Sequence, residues 1–438
     1  MKSQFIFKSI LTVAVLAMAS CKPELSTVTP SKGTADFSRY IAVGNSLTSG
    51  FADGGLYLEG QENSFPLMIA TQMKTVGGGE FYTPFFNSAQ ADGSGYKKLA
   101  SLTNGVPVLS DVPAQAVRGQ ITIPNFGNVV LLTKYSGELN NYGVPGIKLG
   151  LITYAPYGNL NPYFERLLPN DAPANNTAYL DFVTAKPFTF FSMWLGNNDV
   201  LGYATTGGAS AADVPTDKAT FSALYNLAAS RMVAGGTGGT GAKGVVATIP
   251  DVLTTPFFTT VTLPVLLATV QASAPSVTAL YIKTGAGAVR PATTKDYFLL
   301  TLSSANVIGV PNGSGLPYGL HPLNPIESKW VLDTDEAAIV ADYTSAYNAT
   351  IKSVAEAKGL ALVDANALLK EYGAGKVVNG AAVSAAFITG NLFSLDGIHL
   401  TPMGYSIIAN EFIKSINSKY GSSIPIVDVT KYRGVKFP

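Results

Sequence analysis

Short unbroken apolar runs alternate along this chain with longer stretches of helical spacing, and most of the runs stop at glycine-flanked turns. Tyr40-Ile41-Ala42-Val43 is such a run, and Gly44-Asn45-Ser46-Leu47-Thr48-Ser49-Gly50 follows it at once. A buried parallel strand ending in a tight turn is the expected structure. Ser64 to Met73 predicts a helix that opens with Pro66 in its first turn. Phe188 to Leu195 is continuously apolar and aromatic apart from Thr189 and Ser192, as suits a central strand covered on both faces, and it ends in Gly196-Asn197-Asn198-Asp199. From Thr216 to Ala234 the spacing is helical, with Phe221, Leu224, Leu227 and Met232 on one side. Gly244 to Ile249 predicts a further strand running into Pro250-Asp251. Asp335 to Lys358 predicts a long helix, Leu360 to Val363 a strand, and Pro402 to Ser418 a closing helix. Strands alternating with helices in this way predict an α/β fold, a three-layer α/β/α domain with a parallel sheet.

Two long stretches break that rhythm. Residues 77–140 carry Gly77-Gly78-Gly79, Gly93-Ser94-Gly95 and scattered prolines, with a strand expected over Val129 to Leu132. Residues 252–332 are again irregular and partly helical. Both read as loop insertions in a domain spanning 37–438, the second a candidate lid.

The N-terminus changes the setting. Lys2 and Lys8 precede a short apolar run from Ile10 to Ala19, too short to span a bilayer, so residues 1–20 read as a secretory signal peptide. Cys21, the only cysteine of the chain, follows Met18-Ala19-Ser20, which resembles the lipobox of bacterial lipoproteins and makes Cys21 the expected lipidation site and membrane anchor. Residues 21–36, rich in Pro, Ser and Thr, are then expected to be a flexible tether. Without Lys2 and Lys8, 27 basic side chains face 28 acidic ones, a balance that argues against nucleic acid as a partner. With one cysteine and two histidines, no zinc-type ligand cluster is expected, and no cofactor.

The chemistry concentrates at Phe393 to Pro402. It holds one of the two histidines, His399, with Asp396 three positions earlier. Across a tight turn a carboxylate at that spacing can reach the imidazole and fix its tautomer, the orienting role in a Ser-His-Asp triad. Ser46, in its turn after the first strand, is the upstream hydroxyl that such a pair could serve, because ligands in open α/β sheets bind at the carboxyl ends of strands. Four segments now resemble, in order, the conserved blocks of the SGNH or GDSL hydrolases: Gly44-Asn45-Ser46-Leu47, with Asn45 where the family has Asp; Val144-Pro145-Gly146; Gly196-Asn197-Asn198-Asp199; and Asp396-Gly397-Ile398-His399. The resemblance covers the core from about residue 40 to 420 and leaves out both insertions. It implies a flavodoxin-like sheet and a serine esterase, with Ser46 as nucleophile, His399 as base and Asp396 as its orienter. It also implies an oxyanion hole from the Ser46 and Gly146 N–H groups and the Asn198 side chain.

Each of these residues also has a purely structural reading. Ser46 could cap the helix after its turn, Gly146 could serve turn geometry alone, and Asn198 could form an Asx turn. Asp199 reads as a loop brace and His321 as a loop histidine. Asp251 is a rival orienting acid, less simple than Asp396, and Phe257-Phe258 read as core. The implied substrate is a carboxylic ester, of an acyl lipid or an acylated glycan. The resemblance extends to lipoproteins of Bacteroidetes type, which implies the cell envelope, lipid-anchored at the outer membrane. The competing expectation is a non-catalytic surface lipoprotein that binds glycan or protein on the same scaffold.

Overall fold

A computed structural model describes residues 29–103 and 106–438; the expected signal peptide and Cys21 lie outside the described residues. Five parallel strands form the central sheet: β1 (Tyr40–Gly44), β2 (Asn141–Gly143), β3 (Phe190–Trp194), β4 (Lys243–Ala247) and β5 (Ala361–Val363). Their spatial order is β5-β4-β3-β1-β2. That is the 2-1-3-4-5 order of flavodoxin-like folds, with the switch point between β1 and β3. β1 pairs on one side with β2, Ala42 opposite Asn141, and on the other with β3, Tyr40 opposite Phe190.

The strand residues alternate between two separate cores. Ile41, Val43, Phe191, Met193 and Val246 point to one side, Tyr40, Ala42, Phe190, Trp194, Val245 and Ala247 to the other. Both faces are covered, so the strands read as apolar runs rather than as alternating ones. Of the helices, α1 (Ser46–Ser49) follows β1 directly, and α3 (Asn198–Thr205) follows β3. α4 (Lys218–Val233) and α5 (Thr334–Ala357) cover the first face. α2 (Phe65–Met73), α6 (Ala365–Gly373) and α7 (Pro402–Tyr420) cover the second. The three layers expected from the sequence are present.

Helix ends follow local chemistry. Asp333 and Glu336 form a reciprocal capping box at the start of α5. Thr401 accepts from the Gly404 N–H at the start of α7, Pro402 opens that helix, and Gly421 closes it in the left-handed region. The buried face of α4 is Phe221, Tyr225, Ala228, Ala229 and Met232. Leu227, expected on that face, is 41% exposed, because the stripe follows a 3–4 spacing from Phe221 that skips it.

Between residues 77 and 140 the chain forms two antiparallel hairpins, Tyr96–Thr103 with Val106–Val112 and Val117–Ile123 with Gly127–Leu132. Between 252 and 332 it builds a small core of its own from Leu263, Leu280, Ile282, Phe298, Leu302, Ile326 and Val331, with Val261. Phe257 and Phe258 belong instead to the main core. One expectation fails: residues 31–36 are not a free tether. Thr34 N–H donates to the Tyr420 carbonyl at 2.9 Å, Ser423 N–H donates to the Ser31 carbonyl at 2.8 Å, and Ala35 is buried. Polar composition suggested a linker, but backbone hydrogen bonds to the end of α7 hold the segment down.

Candidate active site

The site is assembled where the carboxyl ends of β1 and β3 meet the loops after β2 and before α7. Gly44, the last residue of β1, permits the chain to turn there: a Cβ would lie 2.1 Å from Thr48 Oγ1 and 2.8 Å from the Trp194 carbonyl. The hydroxyl of Tyr179 accepts from the Gly44 N–H at 3.1 Å and donates to the Tyr142 carbonyl at 2.6 Å, tying β1 to β2 beneath the turn. Asn45, not Ser46, is the cap of α1, its side-chain oxygen accepting from the Leu47 N–H at 3.1 Å. The structural role considered for Ser46 is thus filled by its neighbour, and the Ser46 hydroxyl is free for another partner.

That partner is His399, whose Nε2 lies 2.8 Å from Ser46 Oγ. The other ring nitrogen, Nδ1, lies 2.8 Å from Asp396 Oδ2. An ionised carboxylate can only accept, so the neutral ring carries its proton on Nδ1 and leaves the Nε2 lone pair to accept from the Ser46 hydroxyl. The side chains of His399 and Asp396 are 12% and 13% exposed. Phe51 packs against the imidazole with ring centroids 4.6 Å apart, limiting its rotation.

Asp396 is held by more than the histidine. Its Oδ1 accepts from the Ile398 N–H at 2.9 Å and the His399 N–H at 2.8 Å, and its Oδ2 accepts from the Gly54 N–H at 2.8 Å. Burial alone would raise its pKa. The His399 charge and the hydrogen bonds from the His399 ring and the two N–H groups outweigh burial and hold the carboxyl well below the usual carboxylate range.

The loops that carry the two oxyanion candidates are tied to each other. Gly146 adopts φ +83°, a left-handed conformation that glycine adopts without strain. Asn198, the first residue of α3, donates from Nδ2 to the Ile147 carbonyl at 2.9 Å, leaving its second amide hydrogen for another acceptor. Asp199 braces the same junction: its carboxylate accepts from the Leu149 N–H at 2.7 Å, the Gly150 N–H at 3.0 Å and the Thr216 hydroxyl at 2.6 Å. Burial raises the Asp199 pKa against those three hydrogen bonds. As the first residue of a helix, Ser46 has an N–H without an intrahelical acceptor.

The other singled-out residues stay outside this group. Asp251 accepts from the Leu253 N–H at 3.3 Å and lies 3.7 Å from the Lys370 ammonium, and no contact joins it to His399. His321 accepts at Nδ1 from the Leu323 N–H at 3.1 Å, within its own loop. Among the described residues, no three His, Cys, Asp or Glu side chains converge to hold a metal ion, and no helix is long and apolar enough to cross a membrane.

The sequence reading missed the turn Asp53-Gly54. Asp53, at φ +54°, accepts at its carboxylate from the Leu395 N–H at 2.9 Å and the Tyr57 hydroxyl at 2.7 Å. Its own N–H donates to Ser394 Oγ at 2.9 Å. Burial first, then the neighbouring Asp396 charge, push its pKa up against those hydrogen bonds. With the Gly54 N–H on Asp396, this turn clamps the segment 394–396 to the loop that follows Ser46. An Asp-Gly pair seven residues after Ser46 is a turn signal that could have drawn attention to it.

A cavity of about 40 Å³ is lined by Ser46 and its neighbours. Ser46, His399 and Asn198 are among its polar lining residues, and Trp194, Leu201, Val252, Leu369, Ile398 and Ile408 among its apolar ones.

No known family profile matches the chain, and no curated protein matches it. Among solved structures it is similar to LAE5, an alpha/beta hydrolase from the metagenome of Lake Arreo, Spain, at 10% identity and a TM-score of 0.35 over 87% of this chain and 96% of that one. It is also similar to an extracellular lipase from Streptomyces rimosus, at 12% identity and a TM-score of 0.34 over 87% of this chain and 98% of that one. Likenesses this distant fix neither fold nor activity; the sheet order and the contacts above stand without them.

Proposed function

We propose that this chain is a serine esterase of the SGNH type, hydrolysing carboxylic esters of an acyl lipid or an acylated glycan, with Ser46 as nucleophile. The observation that carries the proposal is the unbroken line Asp396 Oδ2, His399 Nδ1, His399 Nε2, Ser46 Oγ, with 2.8 Å at both hydrogen bonds. As Ser46 Oγ bonds to the ester carbonyl carbon, its proton passes to His399 Nε2. Asp396, already ionised, stabilises the imidazolium that forms. The carbonyl oxygen gains negative charge, for which the Ser46 and Gly146 N–H groups and the free amide hydrogen of Asn198 are the proposed donors. Collapse of the tetrahedral intermediate breaks the bond to the alcohol oxygen, which takes the proton from His399. A water molecule, deprotonated by the same nitrogen, then attacks the acyl-serine; the acyl–Ser46 Oγ bond breaks, the acid leaves and His399 returns the proton to Ser46 Oγ.

The same reading places the protein outside the cytoplasm, lipid-anchored through Cys21 to the cell envelope, at the outer membrane. Purified mature protein is expected to hydrolyse short p-nitrophenyl esters, and Ser46→Ala to lower kcat/KM by at least about 10³ with the fold intact by circular dichroism. Equal rates in the two proteins would remove the triad and leave a scaffold that binds glycan or protein.

A further inference from the structure

We infer that the cavity beside Ser46 is the acyl subsite of this esterase and that it takes short unbranched acyl groups, acetyl to butyryl, against the long chains of membrane lipids. This rests on the esterase reading above and adds the substrate class to it. Ser46 and His399 line the cavity together with Trp194, Leu201, Val252, Leu369, Ile398 and Ile408, and no Asp, Glu, Lys or Arg is among its lining residues. It therefore suits the hydrocarbon part of an ester rather than a sugar or an ionised alcohol. Its volume of about 40 Å³ points to a short chain. A water-sized group needs roughly 10–15 Å³ by this measure, so about three carbons fit beyond the carbonyl, which is a butyryl chain.

The walls that set this limit are anchored. Val252 and Leu369 are 5% and 6% exposed and stand on a 3₁₀ turn and on α6. Their sequence neighbours Asp251 and Lys370 face a separate polar groove with Asn348, Lys352 and Asn366. Each pair thus puts an apolar side chain into the cavity and a charged one outside it, which keeps the two surfaces distinct. A longer acyl chain would have to displace side chains packed from behind.

The test is a p-nitrophenyl ester series from acetyl to octanoyl, run beside fluorophosphonate labelling of the same protein. Each methylene gained from acetyl to butyryl should raise kcat/KM about three- to fourfold, and octanoyl should fall at least tenfold below butyryl. Leu369→Ala should move the optimum to hexanoyl or beyond. Should that variant not fold, Val252→Phe provides the opposite shift, toward acetyl alone. A protein that labels at Ser46 yet prefers octanoyl, or whose optimum ignores both substitutions, overturns the subsite and leaves the esterase standing. Absence of both labelling and turnover across the series overturns the esterase reading on which the subsite depends.

Discussion

The chain has two histidines, and the regions around them make a controlled comparison. Both lie in irregular, glycine-containing segments. His399 sits where loops from distant parts of the sequence meet at the carboxyl edge of the sheet, between Asp396 and Ser46 and beneath Phe51. His321 sits in the segment with its own small core, beside Leu323, which is 76% exposed. Its Nδ1 accepts from a backbone N–H, so its neutral ring carries the proton on Nε2, the opposite tautomer to His399. One imidazole has a carboxylate behind it and a hydroxyl in front; the other completes a turn. On the proposed function, the difference between the two imidazoles is one of convergence rather than of residue type.

The sharpest way to break the comparison is to remove each ring in turn. His399→Ala should lower kcat by about 10⁴ or more, while His321→Ala should change it by less than about twofold. Steady-state kinetics on p-nitrophenyl acetate would decide, and comparable losses from both would erase the distinction. Next comes the acid. Asp396→Asn should cost up to about 10⁴ in kcat by favouring the wrong tautomer, whereas Asp251→Asn should leave the rate nearly unchanged. Asn198→Ala should cost roughly 10²–10³ in kcat with KM little altered, as for loss of one oxyanion donor. A change in KM alone would mark Asn198 as a binding or turn residue.

pH separates the two regions differently. The Asp396 pKa is depressed, so its contribution to stability is present above the unfolded carboxylate value, about 3.9, and is lost only as pH falls well below that value. Loss of activity on acidification to pH 5 should therefore not come from protonation of Asp396. Glu336, at the start of α5 beside the second region, behaves oppositely. Burial, then the charges of Asp333, Asp296 and Asp335, push it up to about 7 against the backbone hydrogen bond of its capping box. The folded state then holds a proton that the unfolded chain has already released, so stability should fall as pH rises from about 4.5 to 7. Glu336→Gln keeps the cap and removes the titration. Its melting temperature should be flatter over that range, the smallest of these effects, and an unchanged slope would contradict it.

Much of this arrangement is legible in the sequence because it rests on runs buried from both sides. Tyr40–Val43, and Phe188–Leu195 apart from Thr189 and Ser192, are apolar toward both faces, and a strand covered by helices on two faces requires that. Ser46 and Asn198 could be found because each follows such a run in a glycine-marked turn, and Asp396 and His399 because they share a glycine-marked turn before α7. Other parts gave no comparable signal. β2 is three residues, Asn141-Tyr142-Gly143, at the sheet edge, and it is a strand because Ala42 and its neighbours offer a pairing partner. The docking of residues 31–36 depends on backbone groups of α7 almost four hundred residues away. Asp53 matters through the segment 394–396, a contact that only the folded chain creates. The cavity is the extreme case, since Trp194, Val252, Leu369 and Ile408 share no local pattern and meet only in the folded domain.

The central claim is that Ser46 is the nucleophile, its hydroxyl activated by His399. Fluorophosphonate labelling of the purified protein, followed by peptide mapping, tests it most directly. The adduct is predicted on Ser46 alone, with labelling strongly slowed in His399→Ala. An adduct on another serine, or undiminished labelling of Ser46 without the imidazole, would contradict the claim.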